Sequence, residues 1–250
     1  MRKILVRADD LGYCEAVNYG ITKSVKDGII RSVGVMTNMP SVQQGLDLLK
    51  GEDVCYGLHT NICLGKPLVE PSLIPSLVDE NGNFKSSKVY RSAEEDFVVL
   101  DEVILEIEAQ YNRFVELIGD KPHYFEGHAV ASDNFFKGLE IVAKKHKCDY
   151  LPVSFFGPVK FRSTMLYSSM DSMKPEYNPI ESLKKCALTD YPDNGVCMYV
   201  CHPGYVDAFL MKTSLLVEAR ALEVEMACSD EIKSWLKEND IEVITYDDLD

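Results

Sequence analysis

Short apolar runs rich in β-branched residues alternate along the chain with segments whose apolar positions recur every three or four residues. Seven runs have the length and composition of β-strands, and they cover residues 3–8, 32–37, 54–62, 123–127, 150–156, 196–200 and 241–246. Helical periodicity is found in residues 15–26, 40–50, 100–118, 132–145, 213–228 and 230–238. Strands that alternate with helices pair in parallel through right-handed crossovers. The pattern therefore predicts an α/β fold, an irregular single-domain β/α barrel of TIM-barrel type with about seven parallel strands.

Residues 63–92 interrupt this alternation. They contain three prolines and two glycines, and the Asn-Gly-Asn sequence at 81–83 is typical of a tight turn. A long loop that follows a strand is more often a functional wall or lid than a linker. We expect one domain over residues 1–250, with the 63–92 excursion over the active face. Residues 157–190 mix turn-forming and apolar residues and give no clear pattern.

Composition narrows the choice of partners and compartment. The 250 residues carry 40 acidic and 26 basic side chains, a formal charge of −14 that opposes binding to nucleic acid or to anionic membranes. The sequence has no apolar signal region and no run long enough to span a membrane. Eight cysteines without a C-x-x-C pair indicate reduced, buried thiols in a cytoplasmic protein. Most oligomers are symmetric homo-oligomers and dimers are the commonest, so a homodimer is the expected assembly.

Acids and imidazoles recur at the ends of the predicted strands. The first strand ends on Asp9 and Asp10, and Leu-Gly at 11–12 provides the break that would let both carboxylates enter one pocket. His59, His128 and His202 also lie at or near strand ends, where β/α barrels carry their reactive residues. One carboxylate and two imidazoles, Asp10, His59 and His128, suit zinc or another divalent ion of intermediate hardness. The alternative is that each is an isolated polar residue at a strand terminus.

Asp9 and His202 are the candidate acid and base groups. Asp9 beside the metal could take a proton from a metal-bound water, or it could be a further ligand or a helix cap. His202 precedes Pro-Gly in a rigid turn, and it could act as general acid, donate to a developing oxyanion, or be a core histidine. His123 and His146 are predicted to be solvated surface residues.

Six further side chains are candidate substrate contacts. Asn61 follows His59 by two residues on the same strand face, and it could hold a substrate oxygen or orient a loop. Glu126 could support a metal-binding histidine from behind or act as a third acid. Aromatic rings near strand ends could stack on a sugar or simply pack; they are Tyr13, Tyr205, Phe155 and Phe156.

Five motifs in order along the chain resemble the YdjC-like carbohydrate deacetylases, a family that includes chitooligosaccharide deacetylases. They are Ala-Asp-Asp-Leu-Gly at 8–12, Gly-Leu-His-Thr-Asn at 57–61, Leu-Gly-Lys-Pro at 64–67, Pro-Ser-Leu-Val-Asp at 75–79 with Gly-Asn-Phe at 82–84, and Cys-His-Pro-Gly-Tyr at 201–205. The similarity covers nearly the whole chain. In one place the chain departs from the family, because Glu-Gly-His-Ala-Val-Ala at 126–131 lacks the alternating histidines that usually follow the ligand histidine.

The resemblance implies a distorted β/α barrel with one divalent ion, magnesium or zinc, held by Asp10, His59 and His128. It also implies hydrolysis of the N-acetyl group of a small N-acetylated sugar, with Asp9 as base and His202 as acid. A metal-dependent phosphoesterase could use a similar ligand set, but no basic cluster is evident near the strand ends to receive a phosphate. A non-catalytic sugar-binding protein on the same barrel is the other alternative.

Overall fold

The computed structural model describes residues 2–154, 157–192 and 195–250. Eight strands form within these residues: β1 (Arg2–Leu11), β2 (Ser32–Val35), β3 (Cys55–Thr60), β4 (Phe125–Gly127), β5 (Val159–Phe161), β6 (Thr164–Ser169), β7 (Val196–Cys201) and β8 (Ile241–Ile244). The α-helices of the same part of the chain are α1 (Glu15–Lys26), α2 (Val42–Leu48), α3 (Ser87–Ser92), α4 (Leu100–Ile118), α5 (Asp133–His146), α6 (Pro179–Leu188), α7 (Ala208–Thr213), α8 (Glu218–Cys228) and α9 (Asp230–Glu238).

The strands form one curled sheet in the order β4-β3-β2-β1-β7-β6-β5, with β8 paired to β1. All pairings are parallel except that of β5 with β6. One edge of β1 pairs with β7, and the other edge is shared by β8 at residues 2–5 and β2 at residues 7–11. This confirms the predicted α/β class and the irregular barrel of mostly parallel strands. The curled sheet forms a half-barrel.

Alternation along β1 separates two hydrophobic cores. Ile4, Val6 and Ala8 belong to the larger core under the helices, whereas Leu5 belongs to the smaller core on the opposite face of the sheet. Because side chains alternate along a strand, Arg7 and Asp9 face the same side as Leu5. The smaller core therefore ends in charged residues toward the carboxyl end of β1.

The predicted fifth strand is largely absent. Of residues 150–154, only Tyr150 makes a bridge, to Phe125 of β4, and Phe155 and Phe156 lie outside the described residues. The β5–β6 hairpin, which comes from the region whose pattern was unclear, lies at the opposite edge of the sheet, beside β7. Seven strands therefore pair in parallel, as predicted, but one of them, β6, lies where no strand was predicted, and β5 is an eighth, antiparallel strand.

The predicted helix over residues 213–228 begins only at Glu218, as α8, and a short helix that was not predicted, α7, ends at Thr213. The Ser214 hydroxyl accepts a hydrogen bond from Leu216 N (3.0 Å), a local turn that competes with helical bonding. Ser229 is the N-cap of α9, since its hydroxyl accepts a hydrogen bond from Ile232 N. None of the helices in residues 2–154, 157–192 and 195–250 combines the length and apolarity needed to cross a membrane.

Two cysteines differ from the expectation of reduced thiols. Cys186 of α6 and Cys197 of β7 form a disulfide, with 6.0 Å between their Cα atoms. This spacing lies within the range that a disulfide requires. Both residues are buried in the larger core, so the bond joins a helix to the central region of the sheet. The other six cysteines are free.

Candidate active site

An irregularity in β1 brings two adjacent carboxylates to one side of the sheet. The register with β2 shifts between Ala8 and Leu11, and Asp10 has a positive φ of 79°. The break predicted at Leu11-Gly12 therefore lies one residue earlier, at Asp10 itself, and the strand continues to Leu11. Asp9 and Asp10 are both buried, with 2% and 0% of their surface exposed.

Asp10 lies against two histidines from neighbouring strands. Its Oδ1 atom is 3.2 Å from His59 Nε2 and 3.1 Å from His128 Nδ1, and the two ring nitrogens are 2.9 Å apart. This buried oxygen makes no hydrogen bond within the described residues. One carboxylate oxygen and two imidazole nitrogens about 3 Å apart suit a divalent ion with bonds of about 2.0–2.2 Å. The donor set therefore fits the metal that the sequence implies.

The second oxygen of Asp10 is held by an arginine from a distant helix. Arg220 of α8 donates from its terminal NH2 to Asp10 Oδ2 at 2.6 Å, and both side chains are almost completely buried. Burial would raise the pKa of the Asp10 carboxyl, but Arg220 and His128 hold that pKa well below its ordinary value. Asp10 is therefore a carboxylate at neutral pH.

Glu126 lies behind His59. It contacts His59 Nδ1, which leaves Nε2 directed to Asp10. A carboxylate in this position fixes the ring orientation and increases the basicity of a metal-binding imidazole. The placement favours the supporting role proposed for Glu126 over direct substrate contact. Burial opposes the charge of His59, but Glu126 and Asp9 raise its pKa well above the ordinary value.

Asp9 is paired with Arg7 on its own strand. The Arg7 guanidinium donates to Asp9 Oδ2 at 2.7 Å and lies 3.7 Å from Glu126 Oε2. The other oxygen, Asp9 Oδ1, is buried without a hydrogen-bond partner in the described structure. Gly34 of β2 gives it room, because a Cβ there would lie 2.9 Å from Asp9 Oδ1. Burial raises the pKa of Asp9, and Arg7 offsets part of that rise.

The turn that carries His202 is fixed from two sides. Glu223 of α8 accepts a hydrogen bond from the His202 backbone N at 2.6 Å and another from Tyr177 Oη at 2.8 Å. Gly204 packs so closely on Gly20 of α1 that a Cβ at Gly20 would lie 2.4 Å from the Gly204 Cα. Nδ1 of the half-buried His202 ring has no hydrogen-bond partner among the residues that the structure describes. Burial lowers the pKa of His202 to about 3, so the ring is neutral near pH 7.

Asn61 lies under the excursion. Its amide donates to Asn38 Oδ1 (3.0 Å) and to Leu64 O (2.7 Å), and its carbonyl oxygen accepts from Cys63 N (3.0 Å). The residue is fully buried. Because these hydrogen bonds occupy the Asn61 amide and fix the path of the chain after β3, they favour the loop-orienting role over contact with substrate.

A buried glutamate joins the same excursion to α4. Glu106 accepts hydrogen bonds from Leu68 N and Val69 N at 3.0–3.1 Å. Gln110, one turn further along α4, donates to Glu106 and to Asn61 O. Burial raises the pKa of Glu106 to about 7. The start of the 63–92 excursion is thus anchored to a helix rather than left free.

The two tyrosines predicted to contact substrate lie in different surroundings. Tyr13 is buried, its hydroxyl donates to Thr213 Oγ1 (3.0 Å), and the Arg220 guanidinium lies over its ring. It therefore supports the arginine that holds Asp10. Tyr205 is 40% exposed and is anchored by its backbone N to Ala16 O.

The sequence model of the YdjC-like protein family matches residues 3–238. The chain belongs to the YdjC-like family. This YdjC-like protein is 30% identical to carbohydrate deacetylase 2 of Listeria innocua serovar 6a. The match covers 99% of this chain and 98% of that relative. It is 26% identical to the carbohydrate deacetylase of Clostridium beijerinckii, over 99% of this chain and all of that one. These whole-chain similarities support a hydrolytic deacetylase.

Solved structures show the same fold. A structure from Enterococcus faecalis V583, named for cellobiose-phosphate cleavage, matches with a TM-score of 0.83 and 23% identity, over 99% of this YdjC-like chain and 98% of that one. A CE4 esterase of Streptococcus mutans matches with a TM-score of 0.55 and 10% identity, over 98% and 85% of the two chains. At these identities the structures establish the architecture alone.

Three charged residues of the site were missed by sequence analysis of this YdjC-like protein. Arg7 follows an apolar run and precedes Asp9 by two residues, so strand alternation could have identified it. Arg220 and Glu223 lie three residues apart on α8, and in sequence they resemble ordinary surface charges of an amphipathic helix. Only the packing of α8 against the His202 turn shows that both are buried.

We expect Arg220→Met to destabilise the protein by about 3–5 kcal/mol, because it leaves the Asp10 carboxylate buried without its charge partner. Asp10→Asn should also destabilise, since it leaves the guanidinium unpaired. The double variant Asp10→Asn/Arg220→Met should lose less than the sum of the two, as measured by urea unfolding of metal-free protein. Strictly additive losses would show that the pair is not coupled.

Proposed function

We propose that this protein is a metal-dependent carbohydrate deacetylase that removes the N-acetyl group from an N-acetylated sugar or short oligosaccharide. The observation that most directly supports this is the convergence of Asp10 Oδ1, His59 Nε2 and His128 Nδ1 within 3.2 Å of one another. The whole-chain similarity to carbohydrate deacetylases supports the choice of reaction.

Asp10, His59 and His128 would hold the ion, and magnesium and zinc are the candidates. When bound, a divalent ion polarises the amide carbonyl and acidifies the attacking water. The chain supplies the surrounding charge: Arg220 holds Asp10 Oδ2, and Glu126 fixes the ring of His59. Supporting contacts of this kind orient metal ligands in hydrolytic sites.

Asp9 is the proposed base. Arg7 holds one of its oxygens, and the other is buried and makes no hydrogen bond in the part of the chain described. A fixed carboxylate with one free oxygen can accept the proton of an attacking water. Burial raises the pKa of Asp9, which strengthens it as a base. The α1 N-cap is Cys14, so the alternative role of Asp9 as a helix cap is not favoured.

His202 is the proposed proton donor. Its neutral ring can donate an N–H hydrogen bond to the oxyanion that develops on the amide carbonyl. Negative charge developing beside the ring raises the pKa of His202 during the reaction. The proton that Asp9 takes from the attacking water can then pass to the ring, and from the ring to the amine as the C–N bond breaks.

A phosphoesterase is less well supported. Arg7 and Arg220 do place two guanidinium groups at the site, which sequence analysis did not anticipate. Each is already paired with a carboxylate, Asp9 or Asp10, and is buried. Neither is therefore available to receive a phosphate. A non-catalytic sugar-binding protein would not need a buried carboxylate with a free oxygen beside the metal ligands.

The first test is metal content. His128→Ala removes one of three proposed ligands and should abolish tight binding of a divalent ion at this site, since catalytic metal sites of this type use three protein ligands. His146→Ala is the matched control, because His146 pairs with Glu108 on the helical surface. Equal binding by both variants, measured by elemental analysis after dialysis against magnesium or zinc, would remove His128 from the ligand set.

The second test is the proton donor. His202→Ala should lower kcat by about 10²–10⁴-fold, the usual contribution of one acid–base group, with little change in KM. Asp9→Asn should give a comparable loss. Acetate release from N-acetylated mono- and disaccharides is the measurement, with metal content checked in parallel. Near-normal turnover of the His202 variant would assign the proton to another group.

We further propose that the 63–92 excursion forms a wall of the substrate site. A cleft of about 240 Å³ lies beside Tyr90, at the end of the excursion; its other lining residues come from 93–97 and from the segment after His128, and four of the ten are acidic. The excursion is anchored at its start by Glu106 and turns at Gly82, where φ is 73°.

Shortening the turn at 81–83 should therefore change KM or the preferred sugar, because the far side of the proposed wall would shift while the anchor at Glu106 stays in place. Metal content should remain that of the wild type. The measurement is acetate release across several N-acetylated sugars of different length. Identical kinetics for every sugar would show that the excursion does not contact substrate.

A further inference from the structure

A second set of metal-binding donor atoms lies apart from the candidate active site. Cys55 begins β3, His123 precedes β4, and Asp247 lies in the turn after β8. One donor atom from each lies within 4.8 Å of the other two, and His123 Nδ1 is 2.7 Å from Asp247 Oδ1. Cys55 precedes His59 by four residues on β3, which is about 13 Å along a strand. The two sets of donors are therefore distinct.

Cys55 is buried at the edge of the smaller hydrophobic core, and a polar residue lies beside it on the neighbouring strand. Cys55 is 5% exposed, and its register partner on β2 is Ser32. The Ser32 hydroxyl is fully buried and makes no hydrogen bond within the described residues. Burial and the Asp247 carboxylate raise the pKa of Cys55 to about 12, so the thiol keeps its proton until a cation displaces it.

We propose that Cys55, His123 and Asp247 bind one zinc ion. Thiolate, imidazole and carboxylate together suit zinc, whereas magnesium and calcium prefer oxygen donors alone. Binding forms a zinc–sulfur bond and releases the thiol proton to solvent. The His123 and Asp247 side chains are 38% and 50% exposed, so they can turn toward the sulfur, and water can occupy the fourth position.

The ion would connect three parts of the chain that are distant in sequence. Asp247 belongs to a C-terminal turn closed by a capping box between Thr245 and Asp248. The neighbouring Tyr246 stacks on Tyr124 in the smaller core, with 3.9 Å between ring centroids. Zinc at Asp247 would tie this turn to β3 and β4. Because it binds the folded state, it would raise the unfolding temperature in a concentration-dependent way.

The test uses the full-length His128→Ala variant, so that the proposed active-site metal does not contribute. After dialysis against zinc, this variant should retain about one zinc per chain, and zinc should raise its unfolding temperature. Adding Cys55→Ser or Asp247→Asn should abolish both effects. Adding Cys228→Ser, which removes a partly exposed free thiol, should change neither.

Cobalt(II) gives a second measurement, because coordination by a thiolate produces a near-ultraviolet charge-transfer band. The band should appear with His128→Ala and disappear on adding Cys55→Ser. Asp247→Asn alters a half-exposed side chain, so it still tests the site if the Cys55→Ser variant unfolds. Circular dichroism checks that each variant is folded. Zinc content unchanged by Asp247→Asn, or cobalt binding without the band in folded His128→Ala, would overturn the proposal.

Discussion

Two adjacent carboxylates are buried at the end of the central strand, and the rest of the site is arranged around their charge. An isolated carboxylate costs several kcal/mol to bury, so Asp9 and Asp10 each need a cation. Arg7 of the same strand pairs with Asp9, and Arg220 of a distant helix pairs with Asp10. Each pairing leaves one oxygen free: Asp9 Oδ1 and Asp10 Oδ1 make no hydrogen bond within the described residues.

The backbone of β1 decides where those oxygens point. Strict alternation would place Asp9 and Asp10 on opposite faces of the sheet. A register shift with Asp10 in the left-handed region brings Asp10 to the histidines of β3 and β4. Non-glycine residues adopt this conformation at some cost, and aspartate tolerates it better than most. Bulges often re-aim side chains beside active sites in this way.

Local sequence was sufficient to predict those helices and strands whose formation depends on the pattern of apolar residues within the segment itself. Apolar periodicity predicted α4 over residues 100–118, and the following Gly119 takes the left-handed cap. Strand composition predicted β1, β2, β3 and β7 to within a few residues. The β5–β6 hairpin was not recognised, because its strands are short and β6 is only partly buried.

Residues that act through long-range contacts could not be predicted in the same way. Strand ends were enough to group Asp10 of β1 with His59 of β3 and His128, which directly follows β4. The burial of Arg220 and Glu223 depends on how α8 docks, and the Cys186–Cys197 pairing depends on how α6 meets β7. Neither docking leaves a signal in local periodicity. The role of Asn61 was left open for the same reason, because its partner Asn38 lies 23 residues away.

The anchoring of the excursion by Glu106 also has a consequence for the order of folding. The backbone amides of Leu68 and Val69 find their acceptors on α4, 37–38 residues later in the chain. Contacts of this sequence separation form after the intervening loop has closed. A growing or refolding chain can therefore assemble β1 to β3 early, but its excursion takes a fixed path only when α4 has packed.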